Sequence, residues 1–263
     1  MNYSELKYTN RAKAKQDTKL SYLGGVALSS KIAKSKILDT LTYILYLAPA
    51  NLSGYNVCPK ATKECIALCL NESGHNRIDI HKNIINNARI EKTKLFFQNR
   101  EYFMRWLFDE IIAYKKLATK KGYKFSVRVN GTSDISPESF KLDKFTLLSL
   151  FPNIQFYDYT KVINRYNLLS KYKNYHLTFS YSGKNWDECQ IALKNNMNGA
   201  VVFEQHIPKK YKGITVVNGD VTDLRYYDKK NVIVGLKYKK VRNNKGMVNS
   251  SFVIKTLDKD CTY

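Results

Sequence analysis

The sequence predicts an α/β fold: a full or partial (β/α) barrel of mainly parallel strands, behind a short N-terminal extension. Three observations predict it. From residue 124 onward, short β-branched and aromatic runs alternate with helix-length amphipathic stretches, which implies right-handed crossovers and a parallel sheet. About six or seven such strands can be counted, enough for a full or partial barrel. Polar residues then collect just after these strands, where α/β sheets bind their ligands.

The elements follow in order. Residues 1–40 form a basic extension, and residues 41–263 a single domain carrying a cysteine cluster. Within the extension Gly24-Gly25 marks a turn, with a short strand near 19–28. Residues 41–48 (LTYILYLA) read as a buried strand. A helix over 77–98 puts Ile84, Ile85, Ala88 and Leu95 on one face. A second, over 101–120, carries Phe103, Leu107, Ile111, Tyr114 and Ala118 at helical spacing and is closed by Gly122. Strands are expected at 124–129, 154–157, 176–181, 200–203, 215–217 and 232–236. Helices are expected at 137–150, 162–172 and 186–195, the first with Ser136 as N-cap and Pro137 at N1.

Charge bounds the partners. Lys and Arg number 44 against 22 Asp and Glu, a net charge of +22. Such a surface attracts polyanions, so DNA or RNA is an expected partner. A genome rich in Lys, Asn, Ile and Tyr codons accounts for part of the excess. No apolar run approaches the length of a membrane span, so no membrane partner is expected. Residues 1–19 are polar and lysine-rich, with no apolar leader core, which favours a cytoplasmic location.

The sharpest chemical signal is the segment Cys58-Pro59-Lys60-Ala61-Thr62-Lys63-Glu64-Cys65-Ile66-Ala67-Leu68-Cys69, which holds three of the five cysteines. Clustered thiols in a reducing compartment bind metal or do redox work more often than they form disulfides. Cys65 and Cys69 share a face if the segment is helical. Cys58 approaches from the preceding loop. Thiolates select zinc, copper(I) or iron–sulfur clusters. The expectation is one [4Fe-4S] cluster on Cys58, Cys65 and Cys69, with one iron open. The alternatives are structural zinc with His75 or His81 as fourth ligand, and closure of the site by Cys189 or Cys261. The spacing is not the paired C-x-x-C of zinc ribbons.

Polar residues at strand ends complete the candidate site. Asn130, Ser133 and Asp134 are placed to hold a cofactor head group. Asp158 and Lys161 are placed to pair or to handle a proton. His206 reads as a loop histidine.

Several blocks together resemble the phage gene-product-88-like family. They are Cys58-Pro59-x-Ala61-Thr62-x-x-Cys65-x-x-x-Cys69-Leu70, Ala88-Arg89-Ile90 with Lys94-Leu95-Phe96-Phe97, Val127 to Ile135, Gln155 to Lys161, His176 to Ser180, and Val234-Gly235-Leu236-Lys237. The resemblance covers roughly residues 40–255 and implies a bacteriophage or prophage origin, with no implied reaction. The placement of three cysteines after an early strand is also similar to radical S-adenosylmethionine enzymes. That similarity implies S-adenosylmethionine bound to the open iron. The spacing departs from theirs: C-x6-C-x3-C stands in place of C-x3-C-x2-C, no aromatic precedes the last cysteine, and the glycine-rich head-group motif is absent. Two other functions fit the same residues: a metal-stabilised nucleic-acid-binding protein without catalysis, and a structural or electron-transfer iron–sulfur or zinc protein.

Overall fold

In the computed structural model the described residues are 3–29, 32–33, 36–37, 39–69, 79–239, 250–255 and 257–263. They form a mixed α/β fold with a large, mostly parallel sheet, and no ladder among them closes the strand order into a barrel. The chain divides into two compact units. One comprises Met1–Pro59 and Ile78–Phe156; the other comprises Lys60–Arg77 and Tyr157–Tyr263.

In the first unit the strand Thr40–Leu45 is buried along its whole length. Gly24–Ser29 pairs with it antiparallel and Lys124–Arg128 parallel. Gln155 and Phe156 run parallel to Ser126 and Val127. Successive side chains leave a strand on opposite faces. Tyr43 therefore points to the helix Arg100–Lys120, where its hydroxyl donates to Glu110 at 2.6 Å. Thr42 points the other way and shares a 2.8 Å hydrogen bond with Ser126.

The Arg100–Lys120 helix buries Phe103, Leu107, Ile111 and Ala118, as their spacing predicts, together with Trp106. Asn99 caps its start, and Gly122 follows its end with a φ of +69°. Glu110 is a buried carboxylate on this helix. It accepts from the backbone N–H groups of Leu23 and Gly24 at 3.0 and 3.1 Å. Gly24 therefore does not mark a turn. It opens a strand, and a methyl group there would sit 2.3 Å from the Tyr43 ring. Close approach, not a special φ, explains that glycine.

Two further expectations in this unit are corrected. On the helix Asp79–Gln98, Ile84 is 64% exposed, whereas Leu95 and Phe96 are buried. Ile85 and Ala88 are half-buried, so of the expected stripe only Ile84 faces outward. Residues 137–150 are not one helix. A 3-10 turn, Pro137–Ser139, leads to a hairpin of Lys141–Leu142 with Phe145–Thr146, and the short helix Leu147–Leu150 follows. Asp143 adopts a left-handed φ of +52°, which aspartate tolerates, and Thr146 caps the new helix.

In the second unit the strand Asn198–Phe203 lies parallel to Tyr175–Ser180 and Ile233–Lys237, and its end pairs with Val253–Ile254. Ile214–Asn218 extends the parallel set beside Ile233–Lys237. Leu177, Phe179, Cys189, Ala192, Val201 and Ile233 are core residues. The stretch 162–172 is split into a 3-10 turn, Ile163–Tyr166, and the helix Asn167–Lys171. There Arg165 is drawn back to donate to Thr160 Oγ1 at 3.1 Å. The strands Lys210–Tyr211 and Cys261–Thr262 pair antiparallel. They are two residues each, too short to leave a periodic signal. Lys212 and Gly213, at φ of +48° and +76°, make the two-residue turn into Ile214–Asn218.

Candidate functional site

In the first unit the chain leaves the Thr40–Leu45 strand and folds back on itself before Cys58. The Val57 N–H donates to Ala50 O at 3.1 Å, and the Asp134 N–H donates to Val57 O at 2.8 Å. Ala50 is held at a φ of +48°, in the left-handed region that a non-glycine residue rarely enters. Its N–H points at Cys58 Sγ, 3.4 Å away. Cys58 Sγ also lies 3.8 Å from Thr132 O, and its N–H is taken by Asn56 Oδ1 at 2.9 Å. The sulfur is thus positioned by both the loop before it and the loop after the Lys124–Arg128 strand.

That second loop is held by Asn130. Its Oδ1 accepts from Ser133 Oγ at 2.8 Å and from the Ile135 N–H at 2.9 Å, and its amide donates to Ile135 O at 3.0 Å. The Thr132 hydroxyl donates to Leu47 O at 2.5 Å. Asn130 and Ser133, two expected cofactor ligands, therefore shape the loop that carries Asp134.

Cys65 and Cys69 belong to the second unit. Thr62 caps the short helix Lys63–Ala67 by accepting from the Cys65 N–H at 3.1 Å. The helix ends before Cys69, whose N–H donates to Ile66 O at 3.2 Å. One helix face therefore does not extend through both sulfurs. Leu68, between them, is buried against Val253. The Glu64 carboxylate is held below its usual range by its own backbone N–H, with Thr62 and Lys184 adding to the effect.

Also in the second unit, Asp158 is buried and accepts from the Tyr175 hydroxyl at 3.1 Å. Lys161 donates to Ser180 Oγ at 2.7 Å and lies over the Phe252 ring. His206 is an exposed loop residue. Cys58, Cys65 and Cys69 are each half-buried, whereas Cys189 is sealed and burial pushes its thiol up to about 12. His75 and Leu70 lie outside the described residues, as does the side chain of His81. Among the described residues, no three Cys, His, Asp or Glu side chains gather as a metal-holding group.

Sequence reasoning missed a polar face on the Tyr175–Ser180 strand. His176 and Thr178 lie on one side of it, and the 3-10 turn Arg225–Tyr227 packs against the strand. His176 Nε2, Thr178 Oγ1 and Arg225 Nε are buried without hydrogen-bond partners among the described residues. Arg225 Nη1 stands 3.2 Å from Asp228 Oδ2, close enough for an ion pair but not aligned as a hydrogen bond. On the neighbouring strand the Tyr157 and Tyr159 hydroxyls reach Asp223 at 3.4 and 3.5 Å. The available signal was alternation: parallel strands buried on both faces read as continuous apolar runs, and His176-Leu177-Thr178-Phe179-Ser180 does not.

A family model described as Gene product 88 matches residues 4–255. The chain belongs to the gene product 88 family. The match takes in the cysteine segment and the Asn130 loop, and it reaches back through most of the basic N-terminal residues. No curated protein and no solved structure matches the chain. Among the described residues, no helix is long and apolar enough to cross a membrane.

Proposed function

We propose that this chain is a phage-type, cytoplasmic iron–sulfur protein in which Cys58, Cys65 and Cys69 hold one [4Fe-4S] cluster. The clustering of three thiols in C-x6-C-x3-C carries the reading. Three thiolates complete the coordination of three irons and leave the fourth open. The donor set suits such a group: the three thiols are half-buried rather than sealed like Cys189, and Cys58 Sγ faces a backbone N–H. The open iron would supply redox chemistry to a bound ligand, with S-adenosylmethionine as the leading candidate. The Asn130 loop would present Asp134 to the ligand, and Asp158 and Lys161 would move or hold a proton. A partial barrel of the radical S-adenosylmethionine kind is the finer form of this fold. Strand–helix alternation and the parallel ladders within each unit support it.

Anaerobic purification followed by iron and sulfide analysis tests the reading. Brown protein is expected, absorbing broadly near about 400 nm. Cys58→Ser, Cys65→Ser and Cys69→Ser should each lose the cluster and lower stability, since ligation is coupled to folding. Colourless protein holding stoichiometric zinc overturns it. Net charge favours a second reading, a metal-stabilised protein that binds DNA or RNA through its basic surface.

A further inference from the structure

Arg89 and Lys92 lie in the first unit, one helical turn apart on the Asp79–Gln98 helix, so their side chains are neighbours. The cysteine reading gives Arg89 no task. Its guanidinium stands over the Tyr46 ring, 5.0 Å from the centroid. The Lys92 ammonium stands over the Tyr22 ring at 4.8 Å. Tyr46 directly follows the Thr40–Leu45 strand. Tyr22 lies just before Gly24, the partner of Leu45. Both rings are therefore at the carboxyl end of that strand. The Asn130 loop closes on the same end: the Gly131 N–H donates to Leu45 O at 2.9 Å. A methyl at Gly131 would sit 2.7 Å from Tyr46 Cδ1, so only glycine lets the loop approach so closely.

Lys92 is 6% exposed. Among the described residues its ammonium makes no hydrogen bond and no ion pair; it meets the Tyr22 face. Glu110 attracts it, but that carboxylate already accepts from Leu23, Gly24 and Tyr43. Burial pushes the ammonium down to about 8, and the positive charge of Arg89 works in the same direction. Keeping a buried cation without an acceptor is costly. An incoming anion would remove that cost and form charge-assisted hydrogen bonds.

We propose that Arg89 and Lys92 form an oxyanion site that takes the phosphoryl or carboxylate group of a small ligand, flanked by Tyr22 and Tyr46. The site stands on these four side chains and is independent of the cysteines. The Lys92 ammonium meets one carboxylate whose oxygens are already engaged, so its buried charge selects an anion, and Arg89 one helical turn away adds to the positive field there.

The test uses the full chain with lysines reductively dimethylated with carbon-13, and the Lys92 resonance assigned by its loss in Lys92→Met. In sodium chloride Lys92 should titrate near pH 8. Saturating inorganic phosphate at the same ionic strength should move that midpoint up by about one to three pH units, the effect of an opposite charge within contact range. Acetate producing the shift where phosphate does not would assign the site to a carboxylate. Arg89→Gln should weaken the effective anion by about tenfold or more. Lys92→Met should melt no lower than wild type and should lose the stabilisation by the effective anion. The site is overturned if neither anion moves the midpoint, or if the anion still protects Lys92→Met as it protects wild type.

Discussion

Acidification should unfold this protein partly through His176. Its imidazole is lowered from 6.5 to about 4, first by burial and then by the positive charges of Arg225 and Lys230. Asp228, which faces Arg225, offsets part of that field. Between pH 6.5 and 4 the unfolded chain binds a proton that the folded chain refuses, so stability rises with pH across that window and is lost as pH falls through it. Going from pH 7 to pH 5, the two values give a loss of about 2 kcal/mol, and the full difference approaches about 3 kcal/mol below pH 4. Urea unfolding at pH 7, 6 and 5 on wild type and on His176→Gln measures it. The wild type should lose about 2 kcal/mol more than the variant between the end points. Parallel pH profiles would refute the reasoning, because they would show that His176 accepts its proton as easily in the fold as outside it.

Glu110→Ala should destabilise the first unit by about 3 kcal/mol, because it strands two backbone N–H groups and the Tyr43 hydroxyl in the core; chemical denaturation checks it. Cys189 should resist iodoacetamide in the native protein at pH 8, since burial holds its thiol near 12, and should react only after unfolding; peptide mass spectrometry reads the site. Duplex DNA binding should weaken steeply with salt, with a slope of about −0.9 per neutralised phosphate. The absence of binding at low salt would assign the +22 charge to codon composition.

Much of the fold was legible because periodicity was strong. The Arg100–Lys120 helix buries Phe103, Leu107, Ile111 and Ala118 of the predicted stripe and half-buries Tyr114, and Tyr175–Ser180, Asn198–Phe203 and Ile233–Lys237 stand where short β-rich runs predicted strands. The segment 137–150 was misread because its apolar residues, Phe140, Leu147 and Leu148, fit a helix as well as the turn–hairpin–helix that forms. What separates the two is Asp143 in a left-handed turn, a choice that aspartate permits without requiring. At the site, Asn130 was visible as a polar residue at a strand end. Its inward hydrogen bonds to Ile135 depend on a loop conformation that no spacing encodes. Lys92 was invisible for the opposite reason: a lysine on a helix is ordinarily solvated, and only burial under Tyr22 makes it unusual.

The pairing of Leu68 with Val253 has a consequence in time rather than in space. These partners are separated by about 180 residues of chain, so their contact forms late and contributes to slow folding. A ribosome adding about 5–20 residues per second needs roughly ten to forty seconds to connect them. Throughout that interval Leu68, next to Cys69 in the chain, lacks Val253, and Val202, Tyr238 and Phe252 of the same cluster arrive only in its later part. The thiols of Cys65 and Cys69 therefore leave the ribosome before the residue that buries Leu68 exists.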